Sequence, residues 1–433
     1  MALPSAGPPQ VRHSQSPGGG SAAEPTPVLF AQAAPGAKHA ILYAWEFGAN
    51  LGHIGTFLPL AKKLRKRGTA VHWAVAHPHQ AARLLPEAGF DWLPAPVMPE
   101  QRRLDAPLNY ADILLRFGFD RVSMLFGNVA AWRELLLLTD TQLMLADHAP
   151  TALLAARTLG IPVMMFSNGF TLPPHQNPLP NMRPWNHVPV EQVAALDNEA
   201  SATINAVLAR FGKPPLTSTA QLFDVAEQTL MTFPELDHYT DRGEARYWGS
   251  LPSAGTGTAV AWPQVRGPKL FAYLRRQTVH HVAMLEALLR FPGPCAVYFP
   301  DLPAALRRRF AAPHLLFLDQ PADIAQMARD ADLAVTYASV ATTTAFLLAG
   351  KPLLLLPGHL EQFLLARRVA KLGAGIVVVP EKPAEKLLDT LLKLVESPDY
   401  VRAAQAFSAR YAAFDQVRVA ENLVRRIEEL ATP

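Results

Sequence analysis

The sequence predicts an α/β protein of two domains, each a parallel sheet with helices packed against it. Two observations carry this. An apolar run, a glycine-bearing loop, a helically spaced stretch and a second apolar run recur in both halves of the chain. Between the halves, residues 233–267 turn to Pro, Gly, Ser and Thr. The length of 433 residues also exceeds one ordinary core and suits two domains.

The elements follow in order. Residues 39–45 form a short apolar run, Gly48, Gly52 and Gly55 break it, and 57–67 have helical spacing that Gly68 closes. Residues 70–76 are again strand-like. The theme returns as a strand at 142–146, a helix at 149–159 ended by Gly160, and a strand at 161–166. A Pro-rich passage, 171–189, lacks periodicity, as a substrate-side loop or a surface excursion would. After the break come strands at 269–274, 296–298, 315–318, 334–337, 353–356 and 376–379, with helices between them, including 280–290. Residues 398–430 are strongly helical. The expected layout is a disordered tail (1–38), an N-terminal domain (39–240), a linker (241–267), a C-terminal domain (268–415) and a final helix (416–433).

Composition narrows the function. Half the residues are hydrophobic and 18% are charged, as in a soluble globular protein. The net charge is only +4, with no basic stripe carrying interleaved aromatics, so nucleic acid is not an expected partner. No apolar run approaches the roughly 20 residues that span a bilayer. The apolar part of the tail is too short for a secretion signal. Cys295 is the single cysteine, which excludes an internal disulfide or a cysteine metal site and fits a reducing, cytoplasmic setting.

Four places in the chain bear chemistry. Gly52-His53 follows the first strand, and an imidazole on a loop there reaches a cleft and takes a proton near neutral pH. Asp147 ends the strand Leu143-Met144-Leu145-Ala146. It serves either as the orienting partner of an imidazole or as the N-cap of the following helix. The strand ending at Thr336 leads through Tyr337-Ala338-Ser339 into a helix stopped by Gly350. The start of that helix carries Ser339, Thr342 and Thr343, whose hydroxyls and free backbone N–H groups suit a diphosphate, although capping and helix filler explain them as well. Glu361-Gln362, after the strand and loop Leu353-Leu354-Leu355-Leu356-Pro357-Gly358, present an acid and an amide to a sugar's hydroxyls or to solvent. Arg275-Arg276 follow a C-domain strand and suit a phosphate. His280-His281 lie without metal-ligand spacing, and no metal site is expected.

Together these pieces resemble the UDP-glycosyltransferase superfamily, inverting enzymes of GT-B fold that include macrolide and other bacterial glycosyltransferases. Gly52-His53-Ile54-Gly55 with Arg67-Gly68 is similar to the family's Gly-His loop and first helix. Arg246-Tyr247-Trp248-Gly249-Ser250-Leu251-Pro252 is similar to its C-domain approach. Phe317-Leu318-Asp319-Gln320, Ala349-Gly350-Lys351-Pro352, Glu361-Gln362 and Gly373-Ala374-Gly375 are similar to its donor signature. The resemblance implies two Rossmann-like domains facing across a cleft and His53 as catalytic base with Asp147 orienting it. It implies donor binding by Gln320, Ser339, Thr342, Thr343, Glu361 and Gln362. No cofactor or metal is implied beyond a UDP- or dTDP-linked sugar co-substrate, and the acceptor is a small hydroxyl compound, lipophilic by the apolar content of the N-domain loops, including 171–189, that would shape its site. Where the family has His-Gly-Gly this chain has Tyr337-Ala338-Ser339, and the family's ribose-holding glutamate aligns with Ala345. Two alternatives share the fold: a catalytically silent nucleotide-sugar-binding or assembly protein, and a sugar-nucleotide epimerase.

Overall fold

The computed structural model describes residues 38–48, 52–98, 106–251, 257–276, 280–379 and 386–432. The expected tail falls outside them except for Lys38. Two six-stranded sheets organise the described residues. The first holds β1 (His39–Trp45), β2 (Thr69–Val75), β3 (Leu93–Pro94), β4 (Leu143–Asp147), β5 (Val163–Ser167) and β6 (Glu227–Leu230). Their spatial order is β3-β2-β1-β4-β5-β6. The second holds β7 (Leu270–Tyr273), β8 (Cys295–Tyr298), β9 (Leu315–Leu318), β10 (Leu333–Thr336), β11 (Leu353–Leu355) and β12 (Gly375–Val377). Their order is β12-β11-β10-β7-β8-β9.

Every strand pair is parallel. Counted from its own first strand, each sheet has the same doubly wound order, which reverses direction beside that first strand. The reversals fall between β1 and β4 and between β7 and β10. Ligands in such sheets bind at the strands' carboxyl ends at this point.

Both faces of each sheet are covered, so the inner strands are largely apolar rather than alternating with polar residues. In β1, Leu42 and Ala44 enter one core while Ile41, Tyr43 and Trp45 enter the other. Phe271 likewise faces away from Leu270 and Ala272. The sequence reading has no counterpart for β6 or for the helices Val122–Leu138 and Val190–Arg210. In β6 the Glu227, Gln228 and Thr229 side chains dilute the apolar signal of an edge strand.

One boundary differs in a way that matters. The first helix is Gly52–Lys66, so it begins five residues before the expected 57. His53 therefore sits in a helical first turn, not in a loop. The glycines at 52 and 55 weaken helix propensity there, but packing of Ile54, Phe57 and Leu58 into the core overrides it.

Among the described residues, the chain changes domain between Leu251 and Val260 and again before its final helix. Tyr247, Trp248 and Leu251 pack with the N-domain, whereas Val260 packs with the C-domain. The final helix, Gln416–Ala431, returns and buries Leu423, Val424 and Ile427 in the core that holds Trp45. The Asp415 side chain caps it, accepting from the backbone N–H of Val417 at 2.8 Å and of Arg418 at 3.2 Å. Outside, Glu421 pairs with Lys63 and, at 2.6 Å, with Arg67. Exposed pairs of this kind contribute about 0.2–1 kcal/mol, so the buried leucine and isoleucine dominate the attachment. Leu423→Ala is therefore expected to cost about 2–5 kcal/mol in urea unfolding. Val417→Ala, at a position 63% exposed, should stay within about 0.5 kcal/mol of the parent.

Candidate active site at the domain junction

β1 and β4 lie side by side with Trp45 in register with Asp147. The chain leaving β1 turns at Gly48 and enters the first helix, which brings His53 back over the end of β4. His53 Nδ1 lies 2.8 Å from Asp147 Oδ2. The same oxygen accepts the Tyr43 hydroxyl at 2.6 Å. Because a carboxylate only accepts, Nδ1 carries the proton and Nε2 keeps its lone pair. Trp45 stacks on the imidazole at 4.8 Å between ring centroids. Gly48, at φ +93°, lies against the free nitrogen, and a Cβ there would stand 2.7 Å from Nε2.

Electrostatics favour protonation of this imidazole. Burial opposes it, and the charge and hydrogen bond of Asp147 and the charge of Glu361 outweigh burial, so the pKa is raised above its ordinary value. The positive end of the helix dipole also opposes an imidazolium, but only by about 0.3–1 kcal/mol. A hydrogen bond to a charged partner is worth about 1.5–3 kcal/mol. Asp147 wins, and the ring is held in one tautomer and one orientation.

Asp147 does not cap the helix Pro150–Leu159. Its N-cap residue is Ala149, without a side-chain cap. The buried Glu46 takes that place, accepting from Thr151 N at 2.9 Å. Burial pushes Glu46 up to about 8 against the pull of hydrogen bonds from Thr151 and Ala152. After Asp147, burial and the His53 charge push His148 down to about 4, so His148 is neutral at neutral pH. The His148 ring lies edge-on to Phe47 and Phe170, with Tyr110 nearby and Phe117 stacked on Phe47.

Glu361 comes from the other domain, in the first turn of the helix Leu360–Lys371. Its Oε1 accepts from Asn168 Nδ2 at 2.5 Å. Gln362 is turned locally, its Oε1 accepting from Gly358 N at 2.8 Å. The structure thus brings His53, Asp147 and Glu361 together and gives Gln362 a structural contact.

The remaining expected donor residues are dispersed. Ser339 is the N-cap of the helix Val340–Leu348, but its hydroxyl does not cap it. Thr342 and Thr343 are 3% and 0% exposed, so their hydroxyls point into the fold rather than out of the helix start. Gln320 is exposed beyond the edge strand β9. At the second reversal, Tyr337 meets Tyr273 edge-on at 4.9 Å, and Tyr298 lies 5.1 Å from Tyr273. Arg275 lies over the Tyr273 ring at 5.9 Å and 3.5 Å from Asp301. Burial and the neighbouring Tyr273 raise the Tyr337 hydroxyl, against the charge of Arg275 and the hydrogen bond with Ser339. Among the described residues, no group of three or more His, Cys, Asp or Glu side chains is placed to hold a metal ion.

No family model matches the chain, and no curated protein does. Solved structures do match. The calicheamicin glycosyltransferase CalG4 is similar with a TM-score of 0.67 at 18% identity, over 91% of this chain and 99% of its own. VinC, a glycosyltransferase solved in complex with dTDP, gives 0.62 at 19% identity over 88% and 100%. The spinosyn rhamnosyltransferase SpnG, solved with spinosyn aglycone, gives 0.61 at 18% over 90% and 100%. Likeness at this identity, over nearly the full length of each chain, decides the architecture. The chain has the GT-B fold.

Within that GT-B fold, several residues around the pair carry no sequence signal of their own. Tyr43 and Trp45 were legible only as alternate residues of a buried strand, and their side chains turned out to hold Asp147 and His53. Asn168 is a single polar residue at the end of a strand, and nothing in its neighbourhood distinguishes it. The geometry makes a titration prediction. His53 should titrate by NMR above the ordinary histidine value. Asp147→Asn, which removes the charge and keeps the size, should lower that midpoint. An unchanged midpoint would show that the pair is not coupled.

Proposed function

We propose that the chain is an inverting glycosyltransferase that moves a sugar from a UDP- or dTDP-linked donor to a hydroxyl of a small, lipophilic acceptor. The observation that carries the reading is the His53–Asp147 pair at the N-domain reversal, with Glu361 of the other domain beside it. The likeness to glycosyltransferases of natural-product type supports it, and dTDP is the nucleotide bound by VinC.

The chemistry follows from the atoms available. Asp147 accepts Nδ1–H, so His53 Nε2 takes the proton of the acceptor hydroxyl as its oxygen attacks the anomeric carbon. Glycine at 48 leaves that nitrogen approachable. The anomeric carbon–oxygen bond breaks on the opposite face, and the nucleoside diphosphate leaves with the electron pair. Its charge is stabilised by the N-terminus of the helix Val340–Leu348, the Ser339 hydroxyl and Arg275, with no metal required. Glu361 and the Nε2 end of Gln362, whose Oε1 is taken by the Gly358 N–H, hold the sugar, and Gln320 contacts the nucleotide portion. The buried Thr342 contributes through its backbone N–H, and Thr343, whose N–H donates to the Ser339 carbonyl at 3.0 Å, supports that first turn. The aromatic residues Phe47, Phe117 and Phe170 give the acceptor side its apolar character.

A second reading is a nucleotide-sugar-binding protein without transfer activity. Tyr337 and Ala345, which stand where the family has histidine and glutamate, favour it. The two readings separate on one variant. Removing a general base costs about 10²- to 10⁴-fold, so His53→Ala should lose at least about a hundredfold of turnover while nucleoside diphosphate affinity stays the same. Turnover at the parent rate would sink the transferase assignment. Because the base must be neutral, the parent rate should fall as pH drops through the His53 midpoint. Arg275→Ala should weaken calorimetric binding of dTDP or UDP about tenfold or more, the loss of one charge-assisted contact. Binding of the bare nucleoside should not change.

A further inference from the structure

The domain junction holds a hydrogen bond that this chemistry leaves unused. Asn168 follows β5, and its Oδ1 accepts the backbone N–H of Phe170 at 3.1 Å. That contact settles the orientation of the amide. The other end, Nδ2, is the donor that meets Glu361 Oε1 across the junction.

Both partners are held from behind. Arg242 donates to the carbonyl oxygens of Leu172 at 2.7 Å and Gly169 at 3.1 Å, and it grips both oxygens of the buried Asp237. The Tyr247 hydroxyl donates to Asp237 at 2.7 Å. Gly169 stands at φ +100°, and a Cβ there would come within 2.9 Å of Asp237 Oδ1. The loop that presents Asn168 is therefore fixed by a buried ion pair. On the opposite side, Leu364 lies one turn beyond Glu361 and is buried in the N-domain core. Arg367 sits over the Trp185 ring at 3.8 Å. These contacts anchor the first turns of the helix that carries Glu361.

We infer that Asn168 is a positioning residue that pins one oxygen of Glu361 beside the His53–Asp147 pair and leaves the other for a donor-sugar hydroxyl. The sugar contact rests on the transferase reading, whereas the placement of the carboxylate does not. The groups facing His53 are Asp147 from β4, Glu361 from the helix Leu360–Lys371, the Tyr43 hydroxyl and Trp45 ring from β1, and His148 beyond β4. His77 stands behind Trp45 at 5.3 Å. Of these, Asp147 and Glu361 bring the negative charge that favours the imidazolium, and Asn168 governs where the second of them sits.

Two variants of the full-length chain test this. Asn168→Ala removes both contacts of the amide. Asn168→Ser keeps a short side-chain oxygen for the Phe170 N–H and removes only the donor to Glu361. The His53 midpoint, read by NMR on histidine-labelled protein, should fall in both variants toward that of Glu361→Gln. Calorimetry should show nucleotide-sugar affinity falling about tenfold, as for loss of one charge-assisted hydrogen bond, with nucleoside diphosphate affinity unchanged. A His53 midpoint in Asn168→Ser equal to that of the parent would overturn the inference. If the parent protein binds no UDP- or dTDP-sugar, the transferase reading fails, and the midpoint still decides the positioning role.

Discussion

The site depends on the register of two parallel strands. Placing Trp45 opposite Asp147 puts a carboxylate and the turn after β1 at the same level of the sheet. The first helix then has one place to start, and its second residue is the imidazole that meets the carboxylate. Slipping the strands by one residue would turn Asp147 to the other face of the sheet and dissolve the pair. Tyr43 ties the same register to the same oxygen, since its hydroxyl can reach Asp147 only from the neighbouring strand.

The two domains repeat one topology and use it differently. At the first reversal the sheet presents a proton-accepting pair with apolar surroundings. At the second it presents a helix start, an arginine and three tyrosines. The helix Leu360–Lys371 joins them, because its first turn carries Glu361 toward His53 while Leu364 is buried in the partner domain. The final helix does the same work structurally, returning from the C-domain to close one face of the first sheet.

Much of this architecture was legible in the sequence because the parallel strands are buried on both faces and stand out as apolar runs between glycines. The edge strand β6 was not, since Glu227 and Gln228 interrupt its pattern. Of the site residues, His53 and Asp147 were visible through their position after strands and the family resemblance. The start of the first helix was misplaced because two glycines mask a helix that tertiary packing imposes. The hydroxyls of Thr342 and Thr343 read as ligands by composition, yet the helix turns them inward. Glu46 displaced Asp147 as the cap of the next helix, a contact set by strand pairing between residues about a hundred positions apart. Asn168 acquires its importance only when the second domain folds against it.

The most direct measurement of the central claim is the anomeric configuration of the product. Purified protein would be incubated with an α-linked UDP- or dTDP-sugar and a panel of small lipophilic alcohols and phenols, and the glycoside followed by proton NMR. In-line displacement by an oxygen deprotonated at His53 predicts a β-linked product with one nucleoside diphosphate released per bond formed. An α-linked product, or no consumption of any nucleotide sugar, would contradict the account.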